Sequence, residues 1–180
     1  SLAVSYGDKN RSTYVCDTRF EITHDRAQIL KNNGYTTVGR YLTGGDFKEL
    51  RDNELELILS EGLKMFPIFQ ENGRNSSDFN SDKGRENARS AIKAAKTKGI
   101  PKNTIIYFAV DYDALDYEVT DYIIPYFYGI KEVFQSNINT LNYRIGVYGA
   151  RNVCARVSNR GYAISSFVSD MSSGFSGNLG

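Results

Sequence analysis

The chain has 180 residues, of which 41% are hydrophobic and 24% are charged, ordinary values for a globular protein built around one core. Its formal net charge of +1 gives no electrostatic field that favours nucleic acid or an anionic membrane, so we expect neither as a partner. No apolar run approaches the ~20 residues of a membrane span. With one histidine and two cysteines, Cys16 and Cys154, the chain lacks a standard zinc ligand set, so we expect no metal, no other cofactor and two buried thiols.

Short apolar runs alternate with longer segments of helical period along the chain. The apolar runs predict strands at Thr13–Asp17, Thr36–Leu42, Leu63–Gln70, Thr104–Asp111, Tyr143–Tyr148 and Ala163–Asp170. The segments between them predict helices at His24–Asn33, Asp46–Glu61, Ser81–Lys98, Glu118–Ser136 and Ala150–Asn159. Gly34, Gly62 and Gly99 each follow a predicted helix, where a left-handed cap is expected.

The alternation of strand and helix predicts an α/β protein with a parallel sheet. Continuous apolar strands such as Ile105–Val110 are typical of a sheet covered on both faces. An open nucleotide-binding sheet would carry a glycine-rich turn after its first strand, but the turn at Asp17–Phe20 has no glycine. We therefore predict a TIM-like (β/α) barrel, incomplete in this chain, with about six of eight units. The predicted organisation is a linker or leader over residues 1–12 and a barrel domain over 13–180 that lacks its C-terminal strands.

Polar side chains recur where the predicted strands end. They are Asp17, Arg40, Tyr41, Gln70, Asp111, Asp113, Tyr148 and Asp170. In a barrel the carboxyl ends of the strands form one mouth, which is where active sites are built. Residues two apart on a strand face the same way, so Asp111 and Asp113 are expected to face that mouth together.

Two interpretations of these acidic residues remain open. Each Asp can cap the helix that follows it or begin a turn. Alternatively, clustered carboxylates suit glycosidic-bond cleavage, in which one acid protonates the leaving oxygen and a second group acts as base, nucleophile or orienting group. Aromatic rings predicted at the same rim would stack on sugar faces; they are Tyr41, Phe69, Tyr112, Tyr148 and Phe175.

Several stretches together resemble the bacterial glycoside-hydrolase-like domain family. They are Thr37–Leu42, Phe66–Gln70, Ile105–Asp113, Ile145–Gly149 and Ser166–Gly177. The resemblance runs from about Tyr14 to the last residue. That family is similar in turn to the family 25 lysozymes, which are β/α barrels that cleave peptidoglycan.

The resemblance implies a secreted or wall-associated bacterial protein, with further modules flanking this one. In the lysozymes an Asp ends the first strand and an Asp-x-Glu ends a central strand. Asp17 and Asp111 match the two Asp positions, and Asp113 stands at the position of the catalytic Glu. Aspartate is one methylene shorter, so its proton lies about 1.5 Å further back unless the backbone compensates.

The resulting hypothesis is a glycoside hydrolase that acts on peptidoglycan by carboxylate acid/base catalysis. Asp113 is the general acid, Asp111 tunes its pKa, and Asp17 and Asp170 activate water or stabilise the developing charge. Arg40, Tyr41, Gln70, Tyr112 and Tyr148 bind the sugar. The alternatives are a non-catalytic carbohydrate-binding or wall-anchoring module on a degenerate barrel, and a hydrolase for another polysaccharide.

Overall fold

A computed structural model describes residues 14–71, 73 and 75–169, and in them the sheet is parallel throughout. Its strands are β1 (Tyr14–Asp17), β2 (Tyr35–Tyr41), β3 (Lys64–Phe69), β4 (Ile105–Ala109), β5 (Arg144–Gly149) and β6 (Ser165–Val168). Strands that follow one another in the chain are neighbours in the sheet, in the order β1 to β6. This sequential parallel order confirms the predicted α/β class.

A helical segment precedes each strand from β2 to β6. The helices are α1 (His24–Asn32), α2 (Glu54–Ser60), α3 (Ser81–Thr97), α4 (Asp116–Glu118), α5 (Ile124–Phe134) and α6 (Arg151–Asn159), with a π-helical turn over Val119–Ile123 that joins α4 to α5. Gly34, Gly62 and Gly99 have φ values of 84°, 84° and 75°, which confirms the predicted left-handed helix caps. None of the helices in the described residues has the length and apolarity to cross a membrane.

The sheet is curled rather than flat. The hydroxyl of Tyr148 on β5 donates to Asp17 on β1 at 3.2 Å. In a flat sheet, strands four positions apart would lie about 19 Å from each other, since neighbours are spaced by about 4.8 Å. The six described strands therefore form a curled half-barrel with interleaved helices, which confirms the prediction of an incomplete TIM-like barrel.

Alternate side chains of each strand point into the barrel and form its inner core. The inner core consists of Phe66, Ile68, Ile105, Tyr107, Ala109 and Phe167, with Val15, Tyr41 and Tyr148 against it. Gly39 and Gly146 make room for the large rings, because a Cβ at these positions would lie 2.4 Å from Phe66 Cζ and 2.6 Å from Tyr107 Cδ1. A second cluster lies between the sheet and the helices, and it contains both cysteines as buried thiols, as predicted.

The predicted helix Asp46–Glu61 was wrong in its first half, because α2 begins only at Glu54. Residues Gly45–Phe47 form a 3-10 turn, and the N–H of Leu50 donates to the carbonyl of Tyr41 at 2.8 Å as if extending the sheet. Asn53 then adopts a left-handed φ of 67° immediately before α2. This loop therefore packs across the end of β2 and does not continue the helix.

Candidate functional site

Five polar side chains lie at inward-facing positions where the strands end, and we call them the mouth cluster. They are Asp17, Tyr41, Gln70, Asp111 and Tyr148. Gln70 and Asp111 directly follow β3 and β4, at positions that continue the inward-facing series of those strands. The curl of the sheet brings residues from β1, β2 and β5 into hydrogen-bond contact across the mouth.

Asp17 is held between two tyrosine hydroxyls. Tyr41 donates to Asp17 Oδ2 at 3.0 Å, and Tyr148 donates to Oδ1 at 3.2 Å. Burial raises the pKa of the Asp17 carboxyl, the two hydrogen bonds oppose this effect, and the charge of Asp111 adds to the increase. Asp17 therefore holds a proton more readily than an ordinary aspartate does.

The environment of Asp111 is different. Its side chain is exposed, and its Oδ2 accepts a hydrogen bond of 3.0 Å from Gln70 Nε2. Burial and the nearby charge of Asp17 raise the pKa values of both Tyr41 and Tyr148 well above the usual range for tyrosine, so both phenols stay protonated as donors. The mouth therefore contains two different carboxyl groups. Asp17 is partly buried and has a raised pKa, whereas Asp111 is exposed and accepts a hydrogen bond from the Gln70 amide.

A cleft of about 800 Å³ opens beside Asp111. It is lined by Arg19, Tyr41, Thr43, Gly44, Phe47, Lys48, Gln70, Glu71, Gly73, Lys83 and Asp111. This volume suits a sugar unit or two. Within the part of the chain that the structure describes, no group of three or more His, Cys, Asp and Glu side chains is arranged to hold a metal ion.

Arg40 does not fit its predicted role in binding sugar, because it is fully buried behind β2. Its guanidinium makes five hydrogen bonds: two to the Glu54 carboxylate at 2.6 and 3.0 Å, and three to the carbonyls of Thr18, Lys48 and Glu49 at 2.9, 2.9 and 3.1 Å. An arginine has five N–H donors, so none is left for a ligand. Arg40 instead fixes the loop between β2 and α2.

Tyr112 likewise packs away from the mouth, contrary to its predicted role in sugar binding. Its ring stacks on Phe79 at 5.8 Å between centroids, and its hydroxyl is buried without a hydrogen-bond partner among the described residues. Burial raises the pKa of Tyr112 to about 12. Phe69, expected at the rim, is buried against Phe108 at 5.7 Å.

Asp113 lies beyond the regular strand. β4 ends at Ala109, and one further sheet hydrogen bond joins the N–H of Val110 to the carbonyl of Tyr148 at 2.8 Å. The strand alternation on which the expected pairing of Asp111 with Asp113 depends does not extend to residue 113. Asp113 is exposed and is not among the residues that line the cleft. The predicted positions Asp170 and Phe175 lie outside the described residues.

Of the residues that line the cleft, sequence reasoning found only Tyr41, Gln70 and Asp111. Among those it missed, Arg19, Phe47 and Lys48 are the most suited to binding a ligand. Phe47 and Lys48 fall within the first half of the predicted helix Asp46–Glu61 and therefore drew no attention as loop residues. The sequence feature that could have marked them as loop residues is the pair Gly44-Gly45, which lies just before them in the chain, since two consecutive glycines disfavour a helix. In a barrel, the loop that follows a strand is the usual source of binding residues.

The raised pKa of Asp17 predicts how stability depends on pH. The folded chain binds the Asp17 proton more tightly than the unfolded chain, so its contribution is present at low pH and is lost as pH rises through the raised pKa. The free energy of unfolding of the natural chain should therefore fall relative to that of Asp17→Asn between about pH 4 and neutrality. Urea titrations at a series of pH values measure this difference, and parallel profiles would contradict it. Tyr148→Phe removes a hydrogen bond to the Asp17 carboxylate, so it should raise the pKa of Asp17 further and increase the loss of stability with rising pH.

The fold and the mouth cluster define a class of protein, the β/α-barrel domains that carry carboxylates at the strand ends. The chain belongs to the Rv2525c-like, glycoside hydrolase-like domain family, whose profile matches residues 28–180. It is 50% identical to Bacillus subtilis FadG and 52% identical to YbfG of the same organism, over its whole length in both cases. It spans only 32% of FadG and 26% of YbfG.

A solved structure of the same fold is that of the Mycobacterium tuberculosis protein Rv2525c, described as Tat-secreted and crystallised in complex with HEPES. The two share 19% sequence identity with a TM-score of 0.70, and the match covers 93% of this chain and 81% of that one. Another crystal form of Rv2525c contains L-tartrate. The likeness extends the fold assignment to most of the chain.

Proposed function

We propose that this domain hydrolyses glycosidic bonds of a bacterial cell-wall glycan, peptidoglycan, with Asp17 and Asp111 as its carboxylate pair. The observation that carries the proposal is the contrast between these two acids. Asp17 is partly buried between two tyrosine hydroxyls and has a raised pKa, whereas Asp111 is exposed and lines the cleft. Glycosidases work with two carboxyl groups whose environments separate their pKa values.

In the proposed mechanism Asp17 is the general acid. Its carboxyl gives a proton to the glycosidic oxygen as the bond from that oxygen to the anomeric carbon breaks. The Tyr41 and Tyr148 hydroxyls then stabilise the resulting carboxylate, since both already donate to its oxygens. Burial favours the protonated form before the reaction, and the tyrosines favour the ionised form after it.

Asp111 supports the attack at the anomeric carbon. Its carboxylate either takes a proton from the attacking water, which inverts the configuration, or attacks the carbon itself and forms a covalent glycosyl-enzyme. In the second case water, deprotonated by Asp17, then displaces Asp111, and the two displacements together retain the configuration. Gln70 orients Asp111 by donating to Oδ2, and this leaves Oδ1 for the reaction. The anomeric configuration of the first product, followed by NMR, distinguishes the two courses.

The resemblance to lysozymes assigns the acid to Asp113 instead. Neither Asp17 nor Asp113 is among the residues that line the cleft. Asp17, however, accepts a hydrogen bond from Tyr41, which does line it, and feels the charge of Asp111, so the geometry favours Asp17. The two assignments make opposite predictions for Asp113→Asn.

A non-catalytic, glycan-binding domain is the second candidate. It is favoured by the fact that both oxygens of Asp17 already accept hydrogen bonds and by Phe47, which is 66% exposed beside the cleft as a flat surface for a sugar.

Secretion or attachment to the cell wall is part of the proposal, as are further modules on either side of this domain. The support is that Rv2525c is described as Tat-secreted and that FadG and YbfG are about three and four times as long as the match. A glycan substrate outside the cell requires such a location.

The test is a product assay on purified peptidoglycan. We expect soluble fragments with new reducing ends, identified by mass spectrometry, and we expect fewer from chitin and from an unrelated plant polysaccharide. Binding to peptidoglycan without any product would support the non-catalytic alternative. Products from the plant polysaccharide alone would keep the hydrolase and overturn the substrate.

A further inference from the structure

Three basic side chains line the cleft among the described residues, and two of them have no acidic partner there. Lys83 is already paired, since its Nζ lies 3.6 Å from Glu71 and 3.5 Å from Glu86. Arg19 and Lys48 line the same cleft, but no carboxylate of the described residues forms an ion pair with either of them. The cleft therefore presents two cations that the described protein surface leaves without a counter-ion.

Lys48 is held in place without being neutralised. Its aliphatic chain lies across Gly44, where a Cβ would be 2.5 Å from Lys48 Cγ and Cε. Its Nζ donates to the Gln70 carbonyl at 3.2 Å and lies 4.8 Å from the centroid of the Tyr41 ring. Burial lowers the pKa of Lys48, and the charge of Asp111 opposes this effect from beyond ion-pair distance. Two of its three N–H donors remain for a ligand.

Arg19 is positioned by aromatic rings instead of by an acid. Its guanidinium carbon lies 4.3 Å from the centroid of Phe20 and 4.6 Å from that of Phe47. Such cation–π contacts orient the group but occupy none of its N–H donors in hydrogen bonds. Phe47 directly precedes Lys48 in the chain, so the loop that follows β2 both supplies Lys48 and positions Arg19, and both cations line the cleft.

The geometry points to a subsite for an acidic sugar, in which Arg19 and Lys48 bind the carboxylate of a saccharide unit while Asp111 faces the scissile bond. This inference rests on the proposed function and narrows its substrate to glycan strands that carry free carboxylates, such as peptidoglycan strands whose stem peptides have been removed, because a stem peptide occupies the lactyl carboxyl in an amide bond. A carboxylate would form charge-assisted hydrogen bonds with both cations. A neutral sugar would leave Lys48, which is partly buried, without a counter-ion, although Arg19 is exposed to solvent. Phe47 offers its exposed ring to the face of the same sugar unit.

The test compares two tetrasaccharides that differ by their carboxylates. One alternates N-acetylglucosamine with N-acetylmuramic acid carrying free lactyl carboxylates, and the other is chitotetraose. Titration calorimetry in the Asp17→Asn background keeps the ligands intact. We expect the acidic tetrasaccharide to bind at least about 10-fold more tightly, and Arg19→Gln or Lys48→Gln to remove most of that preference. Lys83→Gln is the matched control, because Lys83 is already paired, and the preference should persist to within about 2-fold.

The outcomes distinguish failure of the acidic subsite from failure of the proposed glycan hydrolysis. Equal affinity for the two tetrasaccharides, or a preference that survives both Arg19→Gln and Lys48→Gln, overturns the acidic subsite but leaves glycan hydrolysis in place. No measurable binding of either tetrasaccharide, together with no product from peptidoglycan, overturns the proposed function as well. Tetragalacturonate, which carries its carboxylates on the sugar ring, tells whether the subsite requires the lactyl group or any sugar carboxylate.

Discussion

Asp17→Asn and Asp111→Asn are each expected to lower kcat/KM on peptidoglycan by about 10²–10⁴-fold, the contribution of one positioned acid or base. Asparagine keeps the shape of aspartate but can neither release a proton to the leaving oxygen nor carry the negative charge that supports attack. The two acids act in one reaction step, so the double variant should lose little more than the worse single variant. Initial rates of reducing-end release measure all three effects.

Two further variants separate this assignment from its rivals. Asp113→Asn should stay within a few-fold of the natural chain, because Asp113 is exposed beyond the end of β4 and is not part of the mouth cluster. Asp121→Asn controls for the loss of any exposed carboxylate. If Asp113→Asn abolishes hydrolysis while Asp17→Asn is active, the acid is Asp113, as the resemblance to lysozymes implies. Circular dichroism of each variant confirms that it is folded.

The regular elements were predictable because their signals are local. Continuous apolar runs and the cap glycines Gly34, Gly62 and Gly99 located the strands, the parallel order and all the long helices. The ends of strands were less predictable, since pairing with a neighbour decides where a strand stops. β4 ends at Ala109, two residues before the predicted end at Asp111.

The location of the candidate site followed from the rule that strand ends meet at one mouth, but the direction of each side chain did not. Arg40 and Tyr41 are adjacent on β2, so only one of them can face the barrel interior. Tyr41 occupies the inner face, and Arg40 therefore points to the helix side. Strict use of strand alternation would have excluded Arg40 from sugar binding.

The sequence could have assigned Lys48 to a loop, but it could not have placed Lys48 and Arg19 in the same cleft. Lys48 lies in a stretch whose composition suits a helix, and a local pattern cannot reveal that a distant buried arginine binds its backbone carbonyl. Arg19 gains its position from Phe47, which lies in another loop. Such contacts between loops depend on the completed barrel.

Arg40→Ala is expected to lower the free energy of unfolding by about 3–5 kcal/mol, the cost of removing one partner from a buried ion pair. The change leaves the Glu54 carboxylate, which is 1% exposed, without its counter-ion and leaves three loop carbonyls without their donor. Glu54 keeps two backbone donors, the N–H groups of Ile22 and Arg51, but these do not neutralise its charge. Urea denaturation at neutral pH measures the loss.

Arg85→Ala is the matched control, because Arg85 is only partly buried and pairs with Glu132 at 3.3 Å on the surface. Arg85 also pairs with Asp82, and because both pairs are on the surface, Arg85→Ala should destabilise the fold much less than Arg40→Ala does. Arg40→Lys should also destabilise, since three donors on one nitrogen cannot replace a planar group with five. Equal losses for Arg40→Ala and Arg85→Ala would show that the buried ion pair contributes no more to stability than the surface pairs of Arg85.

Because Arg40 binds the carbonyl of Lys48, Arg40→Lys should also weaken the preference for the acidic tetrasaccharide, although the Arg40 side chain does not line the cleft.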